Sequence, residues 1–242
     1  MPDRPVELEA ALLAARNGTA FFSRKLSELP DDELRAPSLL PEWSRAHVVA
    51  HVGYNALAIS RLMAWATTGT ETPMYASWDV RNQEIEDGAN LPPSELRSLF
   101  EQSAARLAAA WQAAPPEAWS REVRNAQGRM IPASKTVWMR TREVWIHAVD
   151  LGSGATFADL PADVLERILQ EIVGSWRDRG DGQDLVLRDT GGASFRVSDG
   201  TVADPEIISG TLPDVTAWAA GRSDQGVSSS KQGQPAPAPR WI

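Results

Sequence analysis

Apolar side chains recur at roughly helical spacing through residues 6–29, at Leu8, Leu12, Leu13, Phe21, Phe22, Leu26 and Leu29. Gly18-Thr19 is a weak point in that helix, and Pro30-Asp31-Asp32 ends it. A loop over 37–43 holds two prolines and Trp43. Ser44 then has the chemistry of an N-cap for a second long helix over 45–67. On that helix His47, His51, Asn55 and Ala58 fall along one stripe, and Val48, Val52, Ile59 and Leu62 along the next. A short helix follows over 78–87, with Arg81, Asn82 and Ile85. Ser94 is expected to cap a third long helix over 95–113, whose inner face is Leu96, Leu99, Phe100, Leu107 and Trp111. Residues 120–131, with Gly128 as a turn, form a hairpin or a loop. Pro132-Ala133-Ser134 opens the fourth long helix, 135–151. Four long helices with moderate connections predict a bundle.

The pattern changes after Gly152. Gly152-Ser-Gly-Ala-Thr is a plausible linker, which places an N-terminal domain over 1–154 and a second over 155–242. Pro161 suits the first turn of a helix over 161–178. Residues 185–187 and 194–197 are strands joined at Gly191-Gly192, and 206–209 is a third. Pro213 opens a short helix over 212–220, closed by Gly221. This half is α+β. The last ~20 residues, rich in Ser, Gln, Pro and Ala, are expected to be an extended or poorly packed tail that Trp241 tacks down. The fold class is therefore α plus α+β: a four-helix bundle, then a small α+β domain.

Composition narrows the function. At 43% hydrophobic residues, the chain sustains a large core rather than staying disordered. A net charge of -8 argues against general nucleic-acid binding and against a polybasic membrane anchor. Met1-Pro-Asp-Arg-Pro5 has no signal-peptide character, and no apolar run approaches a membrane span. A cytoplasmic protein is the expectation, and the two-domain layout makes a monomer the simplest state. The chain has no cysteine, so any thiol chemistry must use a thiol brought in as a cofactor.

The chain has 3 histidines. His47 and His51 are four apart, and Glu143 and His147 are four apart, so each pair shares a helical face. Where the two helices meet, His51, Glu143 and His147 would make a His₂Glu set, three ligands with a position left open, as catalytic zinc sites have. By spacing alone a Glu/His pair is equally compatible with a solvated or capping pair. His47 is a possible fourth ligand or a histidine hydrogen-bonded near the helix start. Asp150 is either a partner holding a ligand histidine or a solvated acid near a helix end. Arg81, Arg140, Arg142 and Arg222 are candidate carboxylate clamps, each weak alone.

Three motifs carry a family resemblance. Trp43-Ser-Arg-Ala-His47-Val-Val-Ala-His51-Val resembles the second helix of DinB-like metal-binding bundles. Arg142-Glu143-Val-Trp-Ile-His147-Ala-Val-Asp150-Leu-Gly152 resembles the fourth helix of the mycothiol-dependent maleylpyruvate isomerases. Thr211-Leu-Pro-Asp-Val-Thr-Ala-Trp-Ala-Ala-Gly221-Arg222 is similar to the end of that family's sterol-carrier-like C-terminal domain. The resemblance implies a zinc- and mycothiol-dependent enzyme. Such an enzyme turns maleylpyruvate into fumarylpyruvate, in gentisate breakdown, by thiol addition, bond rotation and elimination. It implies zinc ligands at His51, Glu143 and His147. It also places Arg222 and Asp150 in the active site, and gives Arg81 no particular role. Substrate and thiol are small molecules, and the substrate is a dianion that an arginine pocket would hold. Two other readings remain open: a mycothiol-dependent S-transferase on the same scaffold, and a non-enzymatic metal-binding partner protein.

Overall fold

The computed structural model describes residues 5–200 and 202–241. Met1–Arg4, on which the signal-peptide expectation rests, Thr201, and the last residue of the tail, Ile242, lie outside them. The chain forms two compact units, Met1–Ala155 and Thr156–Ile242. The first is a bundle of four long helices, α1 (Val6–Ser27), α2 (Arg45–Thr68), α4 (Pro93–Ala113) and α5 (Lys135–Asp150), with a shorter α3 (Trp78–Ala89). Strands β1 (Glu122–Arg124) and β2 (Met130–Pro132) pair antiparallel between α4 and α5, so the irregular 120–131 stretch is a hairpin.

Helix α2 is the centre of the bundle and packs on α3, α4 and α5. Both of its stripes are therefore inside: Val48, Val52, Ile59 and Leu62 are buried, and so are His51, Asn55 and Ala58. A helix apolar on nearly all sides has no solvent face to choose, and a central position is the one that suits it. Around it Leu12, Ala56, Leu107, Trp111 and Val137 belong to one core cluster. Among the described residues no helix is long and apolar enough to cross a membrane.

Two local expectations change. Helix α4 starts at Pro93, which takes the first turn, and Ser94 lies inside the helix rather than capping it. A proline there gives up only an N–H that has no helical partner. Gly18 is not a weak point of α1. A Cβ built there would stand 2.6 Å from Trp145 Nε1 and 2.6 Å from Val144 Cγ2, so the missing side chain lets α1 and α5 close on each other. The Trp145 indole has little room to move, since it lies 4.9 Å from the Phe21 ring and its N–H donates to the Ala14 carbonyl at 3.4 Å. Gly18→Ala gains about 1 kcal/mol in helix propensity. Overpacking costs about 1–3 kcal/mol. The expected net result is a lower thermal midpoint, and a raised midpoint in a melting experiment would show that α1 and α5 can part without loss.

The second unit packs helix α6 (Ala162–Arg179) and the short α7 (Leu212–Ala219) with a sheet of order β4-β3-β5-β6. Strands β3 (Leu185–Asp189) and β5 (Glu206–Gly210) are parallel; β4 (Ser194–Arg196) and β6 (Ser228–Ser229) are antiparallel edges. Trp176 and Trp218 meet edge to face at 6.1 Å in the core. The tail is better packed than its composition suggests. Ser229 pairs with Ile208 of β5, the Trp218 indole N–H donates to the Ala236 carbonyl at 3.1 Å, and Arg179 holds the Trp241 carbonyl at 3.0 Å. Without β6, strand β5 would present an open edge, and the polar tail covers its backbone groups.

Candidate metal centre

Helices α2 and α5 are locked in register by a buried polar clamp. Arg140 of α5 donates from Nη1 to the Val52 carbonyl at 2.6 Å and to Asn55 Oδ1 at 3.1 Å, both on α2. Asn55 lies one turn beyond His51, and Arg140 one turn before Glu143. The clamp thus fixes which turns of the two helices face each other next to the site. A buried charge retained at a helix contact is suited to setting register. Arg140 is consequently 1% exposed and belongs to the bundle interior. The sequence stripe that joins Asn55 to His51 carries this signal, but Asn55 offers no metal chemistry to mark it out.

Beside the clamp, His51, Glu143 and His147 converge. Glu143 Oε2 lies 3.0 Å from His51 Nε2 and 3.2 Å from His147 Nε2. The two imidazoles meet edge to face at 4.8 Å. One donor atom from each residue falls within 4.8 Å of the others. Two imidazoles and one carboxylate in that space fit a divalent transition metal such as zinc, and also nickel, cobalt or iron.

Each ligand candidate is held from behind. His147 Nδ1 donates to Asp150 Oδ2 at 2.8 Å, and Asp150 is fully buried. That bond leaves Nε2 toward the cluster, the arrangement that orients metal-binding histidines. The loop before α2 and the first residue of α2 secure this end of α5: the Leu39 N–H donates to the Asp150 carbonyl at 2.9 Å, and Arg45 donates to the Gly152 carbonyl at 3.3 Å. On the other side, Arg81 Nη2 donates to His51 Nδ1 at 3.2 Å, while the Arg81 guanidinium lies 5.5 Å from the Trp78 ring and 5.8 Å from Tyr75. Arg142 Nε is 3.4 Å from Glu143 Oε1.

His47 has a different task. The Ser44 N–H donates to His47 Nδ1 at 3.2 Å, and the His47 backbone N–H donates to Ser44 Oγ at 3.4 Å, closing a reciprocal cap at the start of α2. Its Nε2 faces Glu86 at 3.3 Å. It is a hydrogen-bonded histidine of the helix start, outside the three-residue cluster.

Electrostatics separate the two histidines of the cluster. Burial dominates at His51 and, against the Glu143 hydrogen bond, lowers it to about 4. Burial also opposes charge on His147, but Asp150 and Glu143 together raise it to about 9. Glu143 is pushed up by burial and pulled further down by hydrogen bonds from His147 and His51, so it sits well below the usual carboxylate range. In the metal-free site at neutral pH, His51 is neutral, Glu143 ionised and His147 protonated. Coordination needs His147 neutral, so binding must expel its proton. Titration calorimetry in buffers of different ionisation enthalpy is expected to show about one proton released per metal ion at pH 7, and affinity rising about tenfold per pH unit until it flattens above pH 9. Release of no proton at pH 7 would mean that His147 is already neutral before the metal binds or is not a ligand.

A family model described as the mycothiol maleylpyruvate isomerase N-terminal domain matches residues 15–152, and that family's C-terminal domain model matches 159–236. The chain belongs to the mycothiol-dependent maleylpyruvate isomerase family. A crystal structure of the mycothiol-dependent maleylpyruvate isomerase is 48% identical over 97% of both chains, with a TM-score of 0.93. A structure of a histidine-to-alanine mutant of the mycothiol-dependent maleylpyruvate isomerase matches equally well. No curated protein sequence matches. The fold of this family, a helical bundle followed by a small α+β unit, is the fold described above. All three residues of the cluster lie in the part matched by the isomerase N-terminal domain. Arg222 lies in the second unit, after the end of α7. Its backbone N–H closes the helix on the Ala217 carbonyl at 2.9 Å, and its Nη1 donates to the Ala220 carbonyl at 2.6 Å.

Proposed function

We propose that this chain is a mycothiol-dependent isomerase that converts maleylpyruvate to fumarylpyruvate, in gentisate degradation in the cytoplasm. The observation that carries the reading is 48% identity, over 97% of both chains, with a mycothiol-dependent maleylpyruvate isomerase. The convergent His51, Glu143 and His147 donors support zinc as the metal, and the absence of cysteine supports an external thiol.

In this reading His51 Nε2, His147 Nε2 and Glu143 hold the metal, and Asp150 keeps His147 in the tautomer that presents Nε2. A zinc ion in such a site supplies Lewis acidity, favouring a thiolate at neutral pH or polarising a substrate oxygen. The thiol supplies reversible addition to a conjugated cis double bond, which can then rotate and re-form trans on elimination. The reaction leaves substrate and product with the same atoms, so the chain needs no redox partner. His51 can offer Nε2 only with its own proton on Nδ1. An N–H at that position no longer accepts from Arg81, whose guanidinium is then available to a carboxylate. Arg81 and Arg222 are accordingly the arginines assigned to the dianionic substrate or the thiol.

The test is isomerase turnover of maleylpyruvate with and without mycothiol, alongside metal quantification of the purified chain. Turnover that requires mycothiol and tracks zinc content supports the reading. Thiol conjugation to other electrophiles without isomerisation would move the chain to the S-transferase reading, and neither activity would leave a non-enzymatic metal-binding partner.

A further inference from the structure

Helix α1 packs on α5, and α4 packs on α2. Between α1 and α4 a groove of about 630 Å³ stays open, in the size range of small-molecule sites. None of the three cluster residues lines it. Its walls are short side chains, Ala15 and Thr19 on α1 facing Ala104 and Ala108 on α4. Its deeper surface is apolar, with Leu12, Phe100 and Leu107 all buried. Protein interiors are normally filled, and leucines at the alanine positions would fill this one.

The groove has one polar feature that its apolar walls do not explain. Arg140 is the lining residue from neither α1 nor α4, and it is 1% exposed. Nη1 is fully used in the clamp on α2, but Nη2 is buried without a hydrogen-bond partner among the described residues. Burial lowers Arg140 to about 10, which still leaves it a cation near neutral pH. A buried charged donor without an acceptor costs more than a neutral one. At the rim, Glu9 and Glu101 outnumber Arg16, so an anionic head is repelled at the mouth and drawn only to the inner cation.

We propose that this groove binds a monocarboxylate with an apolar body, its carboxylate against Arg140 and its body between α1 and α4. The carboxylate completes the guanidinium, and the alanine-walled channel accepts the hydrocarbon. The site is separate from the isomerase reading and does not depend on it.

Octanoate and octanol, equal in apolar body and different in charge, test this by calorimetric titration of the purified full-length chain. Octanoate is expected to bind one site, with octanol at least about tenfold weaker, since a charge-assisted pair is lost. Ala104→Leu, which fills the channel, is expected to weaken octanoate at least about tenfold while metal content stays the same. Arg140→Met is expected to abolish the preference for octanoate; if that variant does not fold, the octanol comparison and Ala104→Leu decide alone. Equal binding of octanol, octanoate binding that survives Ala104→Leu, or no binding by the wild-type chain each overturns the proposal.

Discussion

His51→Ala is expected to lose metal and isomerase turnover together. His51 supplies the only donor of the cluster from α2, and without it Glu143 and His147 remain as a pair on one helix. Two ligands from a single turn hold a labile metal that buffer chelators compete away. Loss of a partner that merely orients a ligand costs about 10–100-fold in affinity or activity, and loss of the ligand itself should exceed that. His51 is buried, but two of its neighbours, the Trp43 ring at 5.5 Å and Arg81, are only half-buried, so the variant is expected to fold and its metal content can be measured. Metal analysis and the mycothiol assay on the same preparation check this. A variant that keeps both full metal content and full turnover would make His51 a packed histidine and remove α2 from the chemistry.

Much of this arrangement is legible in the sequence. Two four-residue spacings put His51 on one helix and Glu143 with His147 on another, and a cap at Ser44 sets where the first of those helices begins. What spacing does not supply is facing. A pair four apart says which side chains share a side of a helix, but not what that side meets. The clamp from Arg140 to Val52 and Asn55 settles that, and the sequence hints at it only through the stripe that Asn55 shares with His51. Arg140 has the character of a carboxylate clamp and is tied into the bundle; Asn55 has the character of one more polar position on the histidine stripe. His47 shows the opposite limit. Its spacing to His51 is as good as that of any ligand pair, yet the backbone at a helix start needs acceptors and donors, and Ser44 with His47 provides both. Gly18 and the tail mislead for a shared reason: the value of a missing side chain, or of a polar strand, lies in what packs against it.

Asp150→Asn separates orientation from charge, and its effect is expected to depend on pH in a particular direction. Asparagine can still accept from His147 Nδ1, so the ring should keep its place, but the carboxylate no longer makes the ligand more basic. Metal affinity should fall about 10–100-fold once proton competition is absent. Near neutrality the loss should be smaller. In the wild type, Asp150 helps to hold His147 up at about 9, so metal must first displace a proton there. The variant lowers that proton's affinity and binds metal with less competition. The gap between wild type and variant should therefore widen from pH 7 to pH 9, and the proton released at pH 8 should shrink in the variant. Chelator-buffered metal titrations across this range, with calorimetry at pH 8, measure both quantities. A gap that does not change with pH would mean that the Asp150 charge does not reach His147. No loss at pH 9 would mean that a neutral amide orients the ring as well as the acid does.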